Sequence, residues 1–115
     1  MTVATHEVTL KTFESIVDSN SIVFLDFWAA WCGPCRLLAP VFEDAAIRHP
    51  DIYFGKVNTE EATDLAAAFQ VRSIPTIMAF KNGELVFEQS GALSPTMLDK
   101  LIQDLRELDS EGQGN

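Results

Sequence analysis

Residues 22–35 read Ile-Val-Phe-Leu-Asp-Phe-Trp-Ala-Ala-Trp-Cys-Gly-Pro-Cys, an apolar run that leads directly into the only two cysteines of the chain. Ile22 to Phe27 is short and rich in β-branched and aromatic residues, the composition of a strand buried on both faces. Asp26 interrupts it. A carboxylate in such a run is either paired or holds its proton to higher pH, because desolvation disfavours the charged form. Cys32-Gly33-Pro34-Cys35 then opens a helical pattern. Proline fits a first helical turn, where its missing N–H costs nothing, and this puts Cys32 at or near the N-cap. There the unpaired backbone N–H groups and the helix dipole favour a thiolate. Cysteines at i and i+3 in such a turn bring their Cβ atoms to roughly 5–6 Å, a small adjustment from disulfide geometry. The pair can open and close without rebuilding the fold, so the stretch reads as a redox centre.

The rest of the chain alternates strand and helix patterns. Residues 3–8 form a weak first strand, and Thr9 is placed to cap a helix carrying Phe13, Ile16 and Val17. Asp18 to Ser21 ends that helix. After the cysteines, Leu37, Leu38, Val41, Phe42, Ala45 and Ala46 keep a helical apolar face until His49-Pro50, with Pro40 inside it as a source of a kink. Ile52 to Val57 is a strand carrying Lys56. Asn58 with Glu61 is placed to cap a third helix holding Leu65 and Phe69. Thr76 to Phe80 is a strand, Asn82-Gly83 a two-residue hairpin turn, and Leu85 to Phe87 the returning strand. Ser94-Pro95 opens a last helix as N-cap and N1, with Leu98, Leu101, Ile102, Leu105 and Leu108 as its buried stripe. The order β-α-β-α-β-α-β-β-α predicts an α/β fold, a mixed sheet with helices on both faces.

Composition narrows the function. A chain of 115 residues, 47% hydrophobic, predicts one domain with its own core, over about residues 5–108, and a fraying tail from Ser110 to Asn115. The net charge of −9 argues against nucleic acid and anionic membranes as partners. The acidity is uneven: residues 1–57 hold seven acids and four bases, net −3, and residues 58–115 hold ten and four, net −6. Two cysteines two residues apart build no scaffold of structural disulfides. The first seven residues have neither the basic start nor the apolar core of a signal peptide, and no run approaches a membrane span. A cytoplasmic monomer is the expectation.

Trp28-Ala-Ala-Trp31-Cys32-Gly33-Pro34-Cys35 resembles the active site of the thioredoxin family, and the likeness covers nearly all of residues 5–108. It implies a thioredoxin fold with a central five-stranded sheet in the order 1-3-2-4-5 and the cysteines beyond the carboxyl end of the central strand. Ser73-Ile74-Pro75-Thr76 matches the family's cis-proline segment, so the resemblance implies a cis bond before Pro75 and a backbone at Ile74 that pairs with a bound extended peptide. Gly91 matches a glycine beside the site; on its own residues it reads equally as a turn glycine. Trp31, Gly33, Pro34, Ile74, Pro75 and Gly91 together would form a flat apolar docking surface, with Trp28 as support beneath. Lys56 matches the lysine that neighbours the buried carboxylate. Ala30 departs from a commonly polar position, and Arg36 replaces a commoner lysine while keeping its charge. His6 and His49 match no functional position and read as surface or capping residues.

The implied chemistry is reduction of protein disulfides. Cys32, exposed at the helix start, attacks; Cys35, one turn inside, resolves; Asp26 accepts the Cys35 proton through water. The implied recycling partner is a thioredoxin reductase, a flavoprotein using NADPH, and the chain itself carries no cofactor site. Two other classes fit the same residues. A zinc module would need two ligands beyond Cys32 and Cys35, and only His6 and His49 are on offer, not in a zinc-like pair. A redox-gated binding or assembly subunit would use the same surface as the reductase.

Overall fold

The computed structural model describes residues 4–113, of which 109–113 as backbone only. Five strands, β1 (His6–Glu7), β2 (Ile22–Trp28), β3 (Tyr53–Asn58), β4 (Thr76–Lys81) and β5 (Glu84–Ser90), alternate with four helices, α1 (Leu10–Ser19), α2 (Gly33–Arg48), α3 (Thr63–Ala68) and α4 (Pro95–Gln113). The strands form one sheet in the order β1-β3-β2-β4-β5, as expected. β1, β3 and β2 run parallel, while β4 is antiparallel to both β2 and β5.

β2 lies at the centre and is buried along its length to Phe27, because helices cover both of its faces. On one face Phe24 joins Leu38 and Phe42 of α2, Phe54 of β3 and Leu98 and Ile102 of α4. Phe24 stacks on Phe54 at 5.3 Å between centroids, and Phe42 meets Phe54 edge-on at 5.2 Å. Truncating one such ring costs roughly 3–5 kcal/mol, so these contacts hold α2 to the sheet. On the other face Val23, Leu25 and Phe27 pack with Val17 of α1, Leu65 of α3 and Met78 and Phe80 of β4. By the two-residue alternation of a strand, Asp26 shares the face of Phe24, under α2.

Local sequence accounts for most element ends. Thr9 is the N-cap of α1, and its N–H donates to Thr12 Oγ1 at 3.1 Å. Ser94 Oγ accepts the Met97 N–H at 3.1 Å at the start of α4. Asn82 and Gly83 both have positive φ, 52° and 86°, as a tight primed turn between antiparallel strands requires. Gly55 sits where Val8 crosses β3: a Cβ there would lie 2.5 Å from Val8 Cγ2 and 2.9 Å from Leu25 Cδ2. Lys81 is buried at the end of β4, and its Nζ donates to the Leu105 carbonyl of α4 at 2.9 Å. The far end of α2 is tied to α4 as well, through Arg48 to Asp99 at 2.9 Å; Arg106 of α4 binds Asp51, just beyond α2, at 2.7 Å.

Several expectations are corrected. Of the first strand expected over 3–8, residue 3 lies outside the described residues, and the strand is His6–Glu7, since beyond Glu7 the chain turns into the Thr9 cap. α3 is not capped by Asn58: its N-cap is Ala62, and the Asn58 side chain instead accepts the Glu60 N–H at 2.9 Å in a local turn. Leu37 is 74% exposed and Leu108 36% exposed, each at the margin of its helix's apolar stripe. As expected, α2 runs from Gly33 to Arg48 with Pro40 inside it. The backbone of α4 is helical to Gln113, so the tail expected from residue 110 is helical over 110–113, and 114–115 lie outside the described residues. Among the described residues no helix is long and apolar enough to cross a membrane.

Candidate active site

Cys32 and Cys35 are disulfide-bonded at the carboxyl end of β2, with Cα atoms 5.3 Å apart. The apolar strand ends at Trp28, a short turn follows, and α2 begins at Gly33 with Pro34 in its first turn, where proline is pre-organised for a helix. Cys32 is the N-cap in extended backbone, and its Sγ accepts the Cys35 N–H at 3.2 Å. This is the position at which a backbone donor and the helix dipole stabilise negative charge on sulfur. Arg36 Nη1, from the first turns of α2, donates to the Ala30 carbonyl at 2.9 Å, so the two departures from the family pattern are bonded to each other.

Cys32 is not exposed as expected. It is 4% accessible and Cys35 3%, because the bonded Cys32 sulfur is turned inward, 3.8 Å from the Ile74 carbonyl oxygen. The two sulfurs therefore differ by helix position and not by exposure in the oxidised state.

The Ile74–Pro75 peptide bond is cis. Pro75 is buried and Ile74 half-buried beside the disulfide. Gly91 has φ +95°, and its N–H donates to the Pro75 carbonyl at 2.8 Å. That conformation is the one a turn glycine adopts and a side chain would strain. Trp31, 66% exposed, and the exposed Gly33 and Pro34 complete the surface around the sulfurs. Glu60, which the sequence reading passed over, holds Trp31: its Oε2 accepts the indole N–H at 2.8 Å. No sequence pattern signals this, since the two residues are 29 apart.

Beneath the site Asp26 is wholly inaccessible, and neither of its oxygens has a hydrogen-bond partner among the described residues. Burial pushes its carboxyl up from 3.8 to about 6, and the positive charge of Lys56 opposes that rise. Lys56 stands directly opposite Asp26 in the β2–β3 register, and its Nζ lies 5.0 Å from the centroid of the Trp28 ring. Trp28 is half-buried, and its Nε1 has no partner among the described residues. The arrangement can do three things chemically: close a dithiol into a disulfide, favour a thiolate at Cys32, and store a proton near neutral pH on a carboxyl under the helix that carries both sulfurs.

His6 and His49 lie away from it. His6 packs on Tyr53 at 5.0 Å, and His49 ends α2 with its Nδ1 3.1 Å from Arg106. Burial and then the nearby arginines 106 and 48 hold His49 below its usual imidazole range. Among the described residues no three His, Cys, Asp or Glu side chains converge as a metal site.

A sequence profile of the Thioredoxin family matches residues 4–104. Thioredoxin 1 of Nostoc is 42% identical over 102 residues, covering 87% of this chain and 95% of that protein. A thioredoxin of Mycoplasma genitalium is 50% identical over 74 residues, covering 64% of this chain and 72% of that protein. Among solved structures, oxidised mitochondrial thioredoxin 3 of Saccharomyces cerevisiae superposes with a TM-score of 0.81 at 34% identity, covering 89% of this chain and 96% of that one. A mutant thioredoxin from Halobacterium salinarum gives 0.82 at 33% identity, covering 91% and 94%.

Proposed function

The chain belongs to the thioredoxin family, and from that membership we propose that it reduces disulfides in cytoplasmic proteins and is returned to its dithiol form by a thioredoxin reductase. It does so as a single domain with its core over about residues 5–108. The observation that carries the reading is the Cys32–Cys35 disulfide across the first turn of α2, with Cys32 Sγ as acceptor of a helix N-terminal N–H.

In the reduced protein the Cys32 thiolate attacks one sulfur of a substrate disulfide. The substrate S–S bond breaks, its other sulfur leaves as a thiolate that takes up a proton, and a mixed disulfide joins Cys32 to the substrate. Cys35 then loses its proton, attacks the Cys32 sulfur, and expels the second substrate thiolate. Two electrons pass from the Cys32/Cys35 pair to the substrate, and the pair ends as the disulfide. Asp26 is the acceptor for the Cys35 proton, through water, because its carboxyl sits on the face under α2 and titrates close to neutrality. Lys56 tunes that carboxyl downward. Trp31, Gly33, Pro34, Ile74, Pro75 and Gly91 hold the substrate segment at the sulfur, and the Ile74 backbone pairs with it in an extended conformation.

Position decides which sulfur attacks. Cys32 lies at the N-cap, outside the helix, while Cys35 lies within the first turn. Cys35→Ser should accumulate mixed disulfides with protein substrates on non-reducing gels, and Cys32→Ser should not. Equal trapping by both variants would reverse or remove the assignment.

A further inference from the structure

Beside the sulfurs lies a groove of about 380 Å³, of which Trp31 and Ile74 already belong to the docking surface above. Trp31, Ala66, Ala67, Val71 and Ile74 give it apolar walls. It is continuous with the site, because Trp31 flanks the cysteines and the Ile74 carbonyl lies 3.8 Å from Cys32 Sγ. A chain lying extended at the attacked sulfur therefore runs into this groove on one side.

Charge decides what the groove accepts. Arg72 is the only charged residue among its described lining. The chain has four arginines. Arg48 and Arg106 are engaged by aspartates, and Arg36 donates to the Ala30 carbonyl. Arg72 is exposed, with no hydrogen bond or ion pair among the described residues. Glu60, Glu61 and Asp64 near the start of α3 form no ion pair with it among the described residues; Glu60 holds the Trp31 indole, and Asp64 Oδ1 accepts the Leu65 N–H at 2.7 Å. In a chain with 17 acids, a guanidinium left without a carboxylate beside an apolar groove has an open valence for one.

We propose that Arg72, at the edge of this groove, selects an acidic side chain in the substrate segment on one side of the attacked cysteine. The inference rests on the reading that Cys32 attacks protein disulfides. Electrostatic complementarity of this kind acts on partner choice more than on the chemistry itself.

The test uses peptides with one cysteine joined by a disulfide to a coloured aromatic thiol, with Glu, Gln or Lys placed in turn at each position flanking the cysteine. Release of the thiol by the reduced protein in a single turnover gives a second-order rate constant without any reductase. On one side of the cysteine, Glu should be preferred over Lys by about two- to fivefold at low salt, the range of an exposed ion pair. Arg72→Gln should erase that preference, Arg72→Glu should invert it, and Arg72→Lys should keep most of it. All variants should reduce hydroxyethyl disulfide, which is small and uncharged, at the wild-type rate. Equal rates for Glu and Lys peptides in the wild type, or a preference that survives Arg72→Glu, overturns the proposal while leaving disulfide reduction standing. A wild type that reduces neither the peptides nor hydroxyethyl disulfide overturns both.

Discussion

Replacing Asp26 by asparagine should stabilise the oxidised protein at neutral pH, by an amount that depends on pH in a defined way. The carboxyl titrates at about 6 in the folded protein against an ordinary 3.8, burial outweighing the pull of Lys56. The folded state thus keeps the proton over a range of pH where the unfolded state has already released it. Well below about pH 3.8 both states are protonated and the carboxyl imposes no ionisation penalty. Between that value and about 6 the penalty on folding grows, and above the folded value it levels off. A rise of about two units at 1.36 kcal/mol each gives a plateau of roughly 3 kcal/mol. Asparagine carries no such penalty, and any fixed cost of the buried amide is the same at every pH. The stability difference between variant and wild type should therefore climb by roughly 2–2.5 kcal/mol from pH 4 to pH 7 and then stay nearly flat. Urea denaturation of the oxidised proteins across that range measures it, and the groups common to both proteins cancel in the difference. A difference that does not change with pH, or that shrinks as pH rises, refutes the picture of a desolvated carboxylate. The same variant should resolve mixed disulfides more slowly near neutral pH, because Cys35 has lost its acceptor, while hydroxide still supports turnover.

Three further outcomes follow from packing. Glu60→Ala frees the Trp31 indole, and ordering that side chain again on binding should raise KM for protein disulfides about two- to tenfold with kcat little changed; Glu60→Gln, which keeps an acceptor oxygen, should stay near wild type in the same steady-state assay. Gly55→Ala forces a methyl group against Val8 and Leu25 and should cost about 1–3 kcal/mol in denaturant titration. Lys81→Met removes the bond to the Leu105 carbonyl, which α4 still engages, and should cost about 0.5–1.5 kcal/mol, whereas Lys81→Arg should retain part of the bond.

What the sequence shows of this fold is what local rules govern. The buried central strand is visible in Ile22 to Phe27, the hairpin in Asn82-Gly83, and the helix start in Ser94-Pro95, since each depends on residues within a turn of one another. Asp26 stood out for the same reason, as one acid in an apolar run. The upward shift expected there is borne out, and burial is its cause. What the sequence hides is set by partners distant along the chain. Cys32 is buried beside Ile74, 42 residues away, and Trp31 is fixed by Glu60. Asn58 with Glu61 satisfies the spacing of a helix cap, yet the side chain closes a tighter local turn, because the two motifs use the same atoms. Gly91 carries no signal that separates a loose turn from one hydrogen-bonded to Pro75.

Pro40 divides α2 into two parts that open at different free energies. It offers no N–H to the Arg36 carbonyl, so the ladder has a gap between the turn that bears the sulfurs and the stretch that carries Phe42, Ala45 and Ala46 into the core. The distal part is further tied to α4 by the Arg48–Asp99 pair. Amide exchange should accordingly show two protection levels along one helix. The amides of Cys35 and Arg36 exchange through a local opening, and those from Phe42 onward exchange only when the whole domain unfolds. The redox turn can thus loosen around a mixed disulfide while the hydrophobic layer beneath it stays closed.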